Sequence, residues 1–495
     1  MALSEFDLIV IGSGPAGQKA ALNAAKLGRS VAIVERLNDL GGVCIHTGTI
    51  PSKAMREAVL HFTGLNEREL YGASYRVKQE ITMADLLYRC HHVVRTEAAV
   101  IRNQMTRNGV TVLSGSGSFI DPKTIRVTHD KDVHEARAQF ILIAVGTIPS
   151  RPKDVPFTSD QVIDSDELLC LTTLPRTMIV VGGGVIGTEY ACMLAAVGVR
   201  VTLIESRGRL LEFLDDEIAE NLQFRMRDMG IRLKLGESVA GISLEDGIVQ
   251  ATLVSGKRVA AQTLLYCIGR RGATDDLNLP AAGLTTDSRG RLKINEFCQT
   301  AVPHIYAAGD VVGFPSLAAT SMEQGRLASS HMFQKTQDGQ TPSVSDAGGG
   351  GPGQAQQLFP FGIYSIPEIS MVGQTEQALT KQNMPYEIGI ARYREIARGQ
   401  LMADPNGLLK LLFHPDSRRL LGVHTIGTGA TELIHIGQAV IASGMPIDYF
   451  VESVFNYPTL AECYKVAALD GINRIRLVGQ GSYRPAAKVV EAKAA

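Results

Sequence analysis

An apolar, β-rich run followed by G-x-G-x-x-G occurs twice in this chain, as FDLIVIGSGPAG at 6–17 and RTMIVVGGGVIG at 176–187. Each copy continues through a helical pattern, QKAALNAAKLG or TEYACMLAAVG, into a second apolar strand, SVAIVE or RVTLIE, whose last residue is acidic. A single offset of 170 positions carries Gly12 to Gly182, Gly17 to Gly187 and Glu35 to Glu205. Strand, glycine turn, helix and acid-ended strand together predict a dinucleotide-binding α/β unit. The first glycine permits the sharp turn, the second (Gly14 or Gly184) lets a pyrophosphate approach the backbone, and the third lets the helix pack close on the strand. The helix N-terminus supplies free N–H groups and a positive dipole end for the phosphates. Glu35 and Glu205 stand where a carboxylate accepts hydrogen bonds from an adenosine ribose. Two such units in one chain predict two dinucleotides with electrons passing between them.

At 495 residues the chain exceeds what one hydrophobic core supports, so about three domains are expected. With 49 basic and 50 acidic residues and a net charge of -1, no basic stripe is available to displace counterions from a nucleic acid. The cysteines, Cys44, Cys90, Cys170, Cys192, Cys267, Cys298 and Cys463, are odd in number and free of C-x-x-C spacing, which argues against a disulfide scaffold and a zinc site. A reducing cytoplasm fits this usage, and no metal is expected. Apart from Cys44, the cysteines read as core residues. No signal-like leader and no run of ~18 apolar residues is present, so neither export nor membrane spanning is predicted.

Two further segments carry chemistry. TAVPHIYAAGD, Thr300–Asp310, reads as a strand at Ile305–Ala308, a turn at Gly309 and the start of a helix, with Asp310 either capping that helix or accepting a ribityl hydroxyl. GGVCIHTGTIPSKA, at 41–54, holds one cysteine, Cys44, with Thr49 five positions later. A hydroxyl closes no disulfide, so this stretch offers no thiol pair.

The order of Gly12–Gly17, Gly41–Lys53, Gly182–Gly187 and Thr300–Asp310 resembles the flavoprotein disulfide reductase superfamily, and the resemblance runs through the C-terminal FNYPTLAECYKVAALDG. It implies FAD in the first unit, NAD or NADP in the second, and Asp310 on the flavin. It also exposes two departures. The superfamily's cysteine pair, written G-G-x-C-x-x-x-x-C-I-P-S-K, survives here as Cys44 and Thr49, and its H-P-T-x-x-E histidine is Tyr457 in Tyr457-Pro458-Thr459-Leu460-Ala461-Glu462. A phenol of pKa about 10 is a poor proton shuttle at neutral pH where an imidazole near 6.5 serves. Both halves of a disulfide relay are therefore missing. The chain is similar in this to the superfamily's soluble pyridine nucleotide transhydrogenase branch, which implies reversible hydride passage from NADPH to NAD+ through the flavin.

Residue by residue, the resemblance implies that Lys53 lies near the flavin N5 and pairs with Glu189 as the catalytic couple. Gly12, Gly14, Gly17, Glu35, Arg36, Gly42, Cys44, Lys53, Gly117, Gly146 and Asp310 are the residues expected around FAD. Gly182, Gly184, Gly187, Glu205, Arg207 and Gly269 are expected around the nicotinamide nucleotide. Val185 falls where glutathione reductase has a gating tyrosine. Cys44 reads as a packed side chain rather than a nucleophile, and His46 as a polar residue near the flavin. Nucleotide preference is ambivalent: Glu205 favours the free 2′-hydroxyl of NAD and repels a 2′-phosphate by on the order of 1–4 kcal/mol, while Arg207 or Arg209 stands ready to pair with that phosphate.

The expected architecture is α/β, with two Rossmann-like domains and a C-terminal α+β dimerisation domain. The FAD-binding domain spans 1–152 and 280–335, the NAD(P)-binding domain 153–279, a glycine-rich linker 336–357, the interface domain 358–477 and a flexible tail 478–495. NAD(H), NADP(H) and a second copy of the chain are the expected partners, with Tyr457 and Glu462 brought toward the partner's flavin. An NAD(P)H diaphorase, quinone reductase or oxidase on the same scaffold, and a non-catalytic FAD/nucleotide redox sensor, remain as alternatives. Lys53 and Glu189 weigh against the sensor, which has no use for a hydride-transfer site.

Overall fold

The computed structural model describes residues 3–157, 160–333 and 358–480. The expected linker at 336–357 and residues 481–495 of the expected tail lie outside the described residues, while 478–480, expected as the start of that tail, end the helix Glu462–Gln480. The chain divides into two units, the larger built from the first 213 residues, 219–359 and 363–366, the smaller from 214–218, 360–362 and the residues from 367 onward.

The larger unit repeats one construction. Ser4–Ile11 is the centre of a seven-stranded sheet, pairing in parallel with Val31–Glu35 on one side and Asp132–Ile143 on the other, with Thr111–Ser114 beyond. Its last four residues are buried, as the unbroken apolar run predicts for a strand covered on both faces. Asp132–Ile143 is long enough to serve two partners besides Ser4–Ile11: its first half pairs antiparallel with Thr124–His129, its end in parallel with Ile305–Ala307. The second sheet runs Arg232–Leu235, Arg200–Glu205, Thr177–Val181, Thr263–Tyr266 and Val162–Asp164, with every pair parallel. In both sheets the first fingerprint glycine donates its N–H to the neighbouring strand, Gly12 to Val34 O and Gly182 to Ile204 O, each at 2.9 Å.

The helix that follows each glycine turn is seated by one steric requirement. A Cβ on Gly17 would lie 2.0 Å from Gly12 O, and one on Gly187 would lie 2.0 Å from Gly182 O. The helix Pro15–Lys26 packs in turn against Ala318–Phe333, where a Cβ on Gly325 would meet Ala16 O at 2.0 Å. Asn23 Nδ2 ties the same two helices through Ser329 Oγ at 2.8 Å. This packing places the segment after Asp310 against the first fingerprint.

The smaller unit holds an antiparallel sheet ordered Phe361–Ile363, Ile369–Gly373, Leu420–Ile426, Leu408–Phe413 and Glu387–Arg392, with the helices Ala430–Ala442 and Glu462–Gln480. Its core gathers Tyr393, Phe413, Phe450 and Tyr464. Lys410 is fully buried there, and its ammonium meets Asp215 Oδ1 at 2.8 Å, Glu217 Oε2 at 3.1 Å and Glu376 Oε1. Burial pulls the Lys410 ammonium down, but the three carboxylates outweigh it and hold its pKa above the ordinary lysine value. Burial would likewise raise Asp215, yet His424 and Lys410 keep it below its ordinary value. Among the described residues no helix is long and apolar enough to cross a membrane.

Two outcomes follow from this packing. Gly325→Val forces Ala318–Phe333 off the fingerprint helix and should cost about 1–3 kcal/mol of unfolding free energy in a denaturant titration. Lys410→Met strands the buried Asp215 carboxylate beside the partly exposed Glu217 and Glu376 and should cost about 3–5 kcal/mol at neutral pH. The deficit should shrink as the pH is lowered towards 5 and the stranded carboxyls take up protons. The unsubstituted protein behaves oppositely, because a depressed Asp215 loses its stabilising share only as pH falls below about 4.

Candidate active site

The first fingerprint opens into a cleft of the larger unit. Gly12, Gly14, Glu35, Arg36, Gly42, Cys44, Gly117, Gly146 and Asp310 all line it, with Ser13, Thr49, Thr147 and Ser321. Gly17 stands behind it, under the helix start. Gly14 is informative because its backbone is ordinary, with φ −65° and ψ 179°, and a Cβ there would meet nothing within 4 Å. Neither strain nor protein packing demands glycine at that point. Room for a ligand phosphate against the backbone does. Gly184 has the same open surroundings at the second fingerprint, so both cradles fit a dinucleotide.

Glu35 ends its strand buried beneath the first cradle. Its Oε2 accepts from Ser13 N at 3.1 Å and Ser13 Oγ at 2.5 Å, and its Oε1 accepts from Leu37 N at 2.9 Å. Ser13 Oγ also accepts from Gly41 N at 2.9 Å, tying the fingerprint to the Gly41–Lys53 stretch. Asp310 opens a short 3₁₀ turn, Asp310–Val312, and the long helix begins later, at Ala318. The expected continuous turn-to-helix start is thus split, and Asp310 is presented on its own turn. Burial raises the Asp310 carboxyl, against the opposing pull of Arg270 and the hydroxyls of Ser321 and Thr147. Arg270 is clamped by Thr147, through Nε to Oγ1 and a second donor to the carbonyl, both at 2.9 Å.

Cys44 lies in the helix Gly42–His46, and Thr49 begins Thr49–Thr63. Burial pushes the Cys44 thiol up, more than its hydrogen bond with the Thr49 hydroxyl lowers it. A thiol so held is a poor nucleophile. His46 Nε2 meets the carbonyls of Asp39 and Leu40 at 3.2 and 3.1 Å and does not line the cleft. Lys53, on the Thr49–Thr63 helix, reaches the helix Val185–Ala196 and pairs with Glu189 Oε2 at 2.8 Å, the two side chains 25% and 5% exposed. Val185 is the first residue of that second helix. Tyr364 completes the pair: its N–H donates to Glu189 Oε1 at 2.8 Å and its ring lies 4.9 Å below the Lys53 ammonium.

The second cleft is lined by Gly182, Gly184, Glu205, Arg207 and Gly269, with Ser206, Glu237 and Tyr266. Glu205 accepts from Gly183 N at 2.7 Å, and the Arg207 guanidinium grips both its oxygens at 2.9 Å. Burial would raise Glu205, but the Arg207 and Gly183 donors bring its pKa down to about 2. In the smaller unit Tyr457 is 72% exposed, and Glu462 begins the last helix.

Sequence reasoning passed over Ser13, Thr147, Arg270 and Tyr364. Ser13 is the variable position of its fingerprint, Thr147 and Arg270 each follow a named glycine, Gly146 and Gly269, without a pattern of their own, and Tyr364 lies 175 positions from Glu189. It also misplaced one thiol: Cys170 is exposed at the end of the short 3₁₀ turn Glu167–Cys170, because the apolar run that suggested core burial ends at the surface.

Two dinucleotide cradles in one unit, joined by a lysine–glutamate pair, define an oxidoreductase of the two-dinucleotide class. A sequence model described as pyridine nucleotide-disulphide oxidoreductase matches residues 6–325, and the dimerisation domain of the same family matches 359–468. The chain belongs to the pyridine nucleotide-disulphide oxidoreductase family. It is 52% identical over 480 residues to a soluble pyridine nucleotide transhydrogenase of Mycobacterium tuberculosis (strain ATCC 25177 / H37Ra), covering 97% of this chain and 99% of that one. It is 43% identical over 475 residues to that of Colwellia psychrerythraea, covering 95% and 99%. Among solved structures, the HOCl-induced flavoprotein disulfide reductase RclA of Escherichia coli superposes with a TM-score of 0.83 at 26% identity, covering 94% of this chain and 99% of that one.

The two cradles should fail independently. Gly17→Val, clashing with Gly12 O, should yield protein without the dinucleotide of the first cleft, seen in its absorption spectrum. Gly187→Val should keep that spectrum while nicotinamide nucleotide affinity, followed calorimetrically, falls on the order of tenfold or more.

Proposed function

We propose that the protein is an FAD-dependent NAD(P)+ transhydrogenase that passes hydride reversibly from NADPH to NAD+. The observation that carries this reading is that the Lys53–Glu189 ion pair is kept while the first cleft holds a single protonated thiol, Cys44, with Thr49 where a second cysteine would stand. FAD bound in the first cleft supplies a two-electron store that accepts hydride from one nicotinamide and returns it to the next. The chain's own residues do the rest. Gly12–Gly17 and Gly182–Gly187 hold the two pyrophosphates on helix N-termini. Lys53 would supply a cation to the ring system, and Glu189, held by Tyr364 N–H, fixes where that cation stands. Asp310 and Thr147 line the cleft and would hold the cofactor there, with Arg270 bonded to Thr147 behind them.

A transhydrogenase exchanges nicotinamides at one site, so both substrates meet the face flanked by Lys53 and Glu189, the Si-specific type. The relatives' printed activity supports this assignment. So does the local chemistry at the former disulfide: Thr49 beside a Cys44 thiol that burial keeps protonated. We assign a homodimer on the strength of the matched dimerisation domain, and a cytoplasmic setting on that of the unpaired cysteines. A diaphorase or quinone reductase would use the same pair and differ only in its acceptor.

Anaerobic mixing separates these readings. NADPH should bleach the flavin, and NAD+ should restore its colour in stoichiometric amount. If oxygen or a quinone restores it and NAD+ does not, the transhydrogenase reading is wrong. Lys53→Met should slow the bleaching on the order of 100-fold while nucleotide affinity holds, which stopped-flow spectroscopy reads directly.

A further inference from the structure

Tyr364 lies on neither helix that carries the Lys53–Glu189 pair, yet the short stretch it opens is tied to both. Lys53 and Arg56 stand three residues apart on Thr49–Thr63, and Glu189 and Cys192 three apart on Val185–Ala196, so each couple shares one helix face. Tyr364 N–H donates to Glu189 Oε1 at 2.8 Å, Arg56 Nε donates to Ser365 O at 3.0 Å, and the Cys192 thiol meets the Ile366 main chain. Ile366 precedes Pro367, which disfavours helix at 366, so the main-chain groups of this stretch meet the two helices instead of each other. Ser365 and Arg56 are 0% and 5% exposed, and the lacing is buried.

The side chain of Tyr364 adds a contact that its backbone does not. Its ring lies 4.9 Å from the Lys53 ammonium, within the range where the negative face of an aromatic ring attracts a cation. Lys53 Nζ otherwise meets Glu189 Oε2 at 2.8 Å and, more weakly, Ser52 Oγ at 3.3 Å on its own helix. A lysine ends in a compact charge on a flexible four-carbon stem. One carboxylate oxygen sets the distance of that charge and leaves its direction open; a ring on a second side removes that freedom. The Lys53 side chain is 25% exposed against 5% for Glu189, so the cation is the member of the pair that needs directing. Tyr364 holds the anion by its main chain and the cation by its side chain.

We propose that Tyr364 is a positioning residue for hydride transfer, its ring face aiming the Lys53 ammonium while its N–H anchors the Glu189 carboxylate. This rests on the reading that Lys53 serves the flavin during its reduction. Tyr364 acts through Lys53, and its contribution is to the limiting rate of flavin reduction rather than to nucleotide affinity. The negative charge on the ring face carries the effect; the phenol hydroxyl and the bulk of the ring do not.

The test is anaerobic stopped-flow reduction of the flavin-loaded enzyme by NADPH, reading the limiting rate of bleaching and the NADPH concentration that gives half of it. Tyr364→Leu keeps the main-chain donor and an apolar side chain; it should lower the limiting rate by on the order of tenfold and leave the half-saturating concentration within about threefold. Tyr364→Phe should stay within about threefold of the parent in both. A trifluorinated phenylalanine in place of Tyr364 keeps the shape of the ring and withdraws charge from its face, so it should reproduce the loss even where leucine disturbs the packing. On Lys53→Met, Tyr364→Leu should add little, because the ring then has no cation to aim. The proposal is overturned if Tyr364→Phe loses as much as Tyr364→Leu, if the fluorinated ring keeps the parent rate, or if Tyr364→Leu costs as much on Lys53→Met as on the parent. NAD+ takes no part in the bleaching, so a wrong acceptor appears only in the recovery of colour and leaves this result standing.

Discussion

The larger unit depends on a contact that forbids a side chain. At Gly17 and again at Gly187, the helix after the turn lies so close to the preceding glycine's carbonyl that a Cβ would sit 2.0 Å from oxygen. That approach brings the free N–H groups of the helix's first turn to the strand's carboxyl end, where phosphate binds. Gly325 extends the same logic to a third helix, seated on the carbonyl of Ala16. Three close approaches thus locate two cradles and the segment that presents Asp310.

Identical cradles carry different electrostatics. Both strands end in a buried glutamate, but one is saturated by a serine hydroxyl and backbone donors and the other by an arginine from two residues on. A carboxylate saturated by neutral groups suits a cofactor that stays. The two frames differ around these carboxylates at two aligned positions, Ser13 against Gly183 and Leu37 against Arg207.

The former disulfide site is coherent with this. Thr49 accompanies Cys44, burial keeps the thiol protonated, and Tyr457 stands at the place of the superfamily's histidine. What persists is the Lys53–Glu189 pair, locked by Tyr364 through a backbone N–H and a ring face. The pair keeps charge between the helices Thr49–Thr63 and Val185–Ala196, and Cys44 has no cysteine at position 49 to pair with.

The sequence by itself determined the fold class and the family, because parallel strands buried on both faces and glycines with no steric alternative leave a local, repeated signature. Of the residues it singled out, Gly12, Gly14, Glu35 and Asp310 line the first cleft and Gly182, Gly184 and Glu205 the second, while Gly17, Lys53 and Gly187 stand outside those linings. Only the tertiary structure decided what Ser13, Thr147, Arg270 and Tyr364 touch, that Asp310 sits on a turn of its own, that Cys170 reaches the surface, and that Arg207 rather than Arg209 grips Glu205. These outcomes depend on which side chains meet across strands and helices distant in sequence, and on which rotamer a long cation adopts when a backbone leaves a carboxylate uncovered. No periodicity along the chain encodes either.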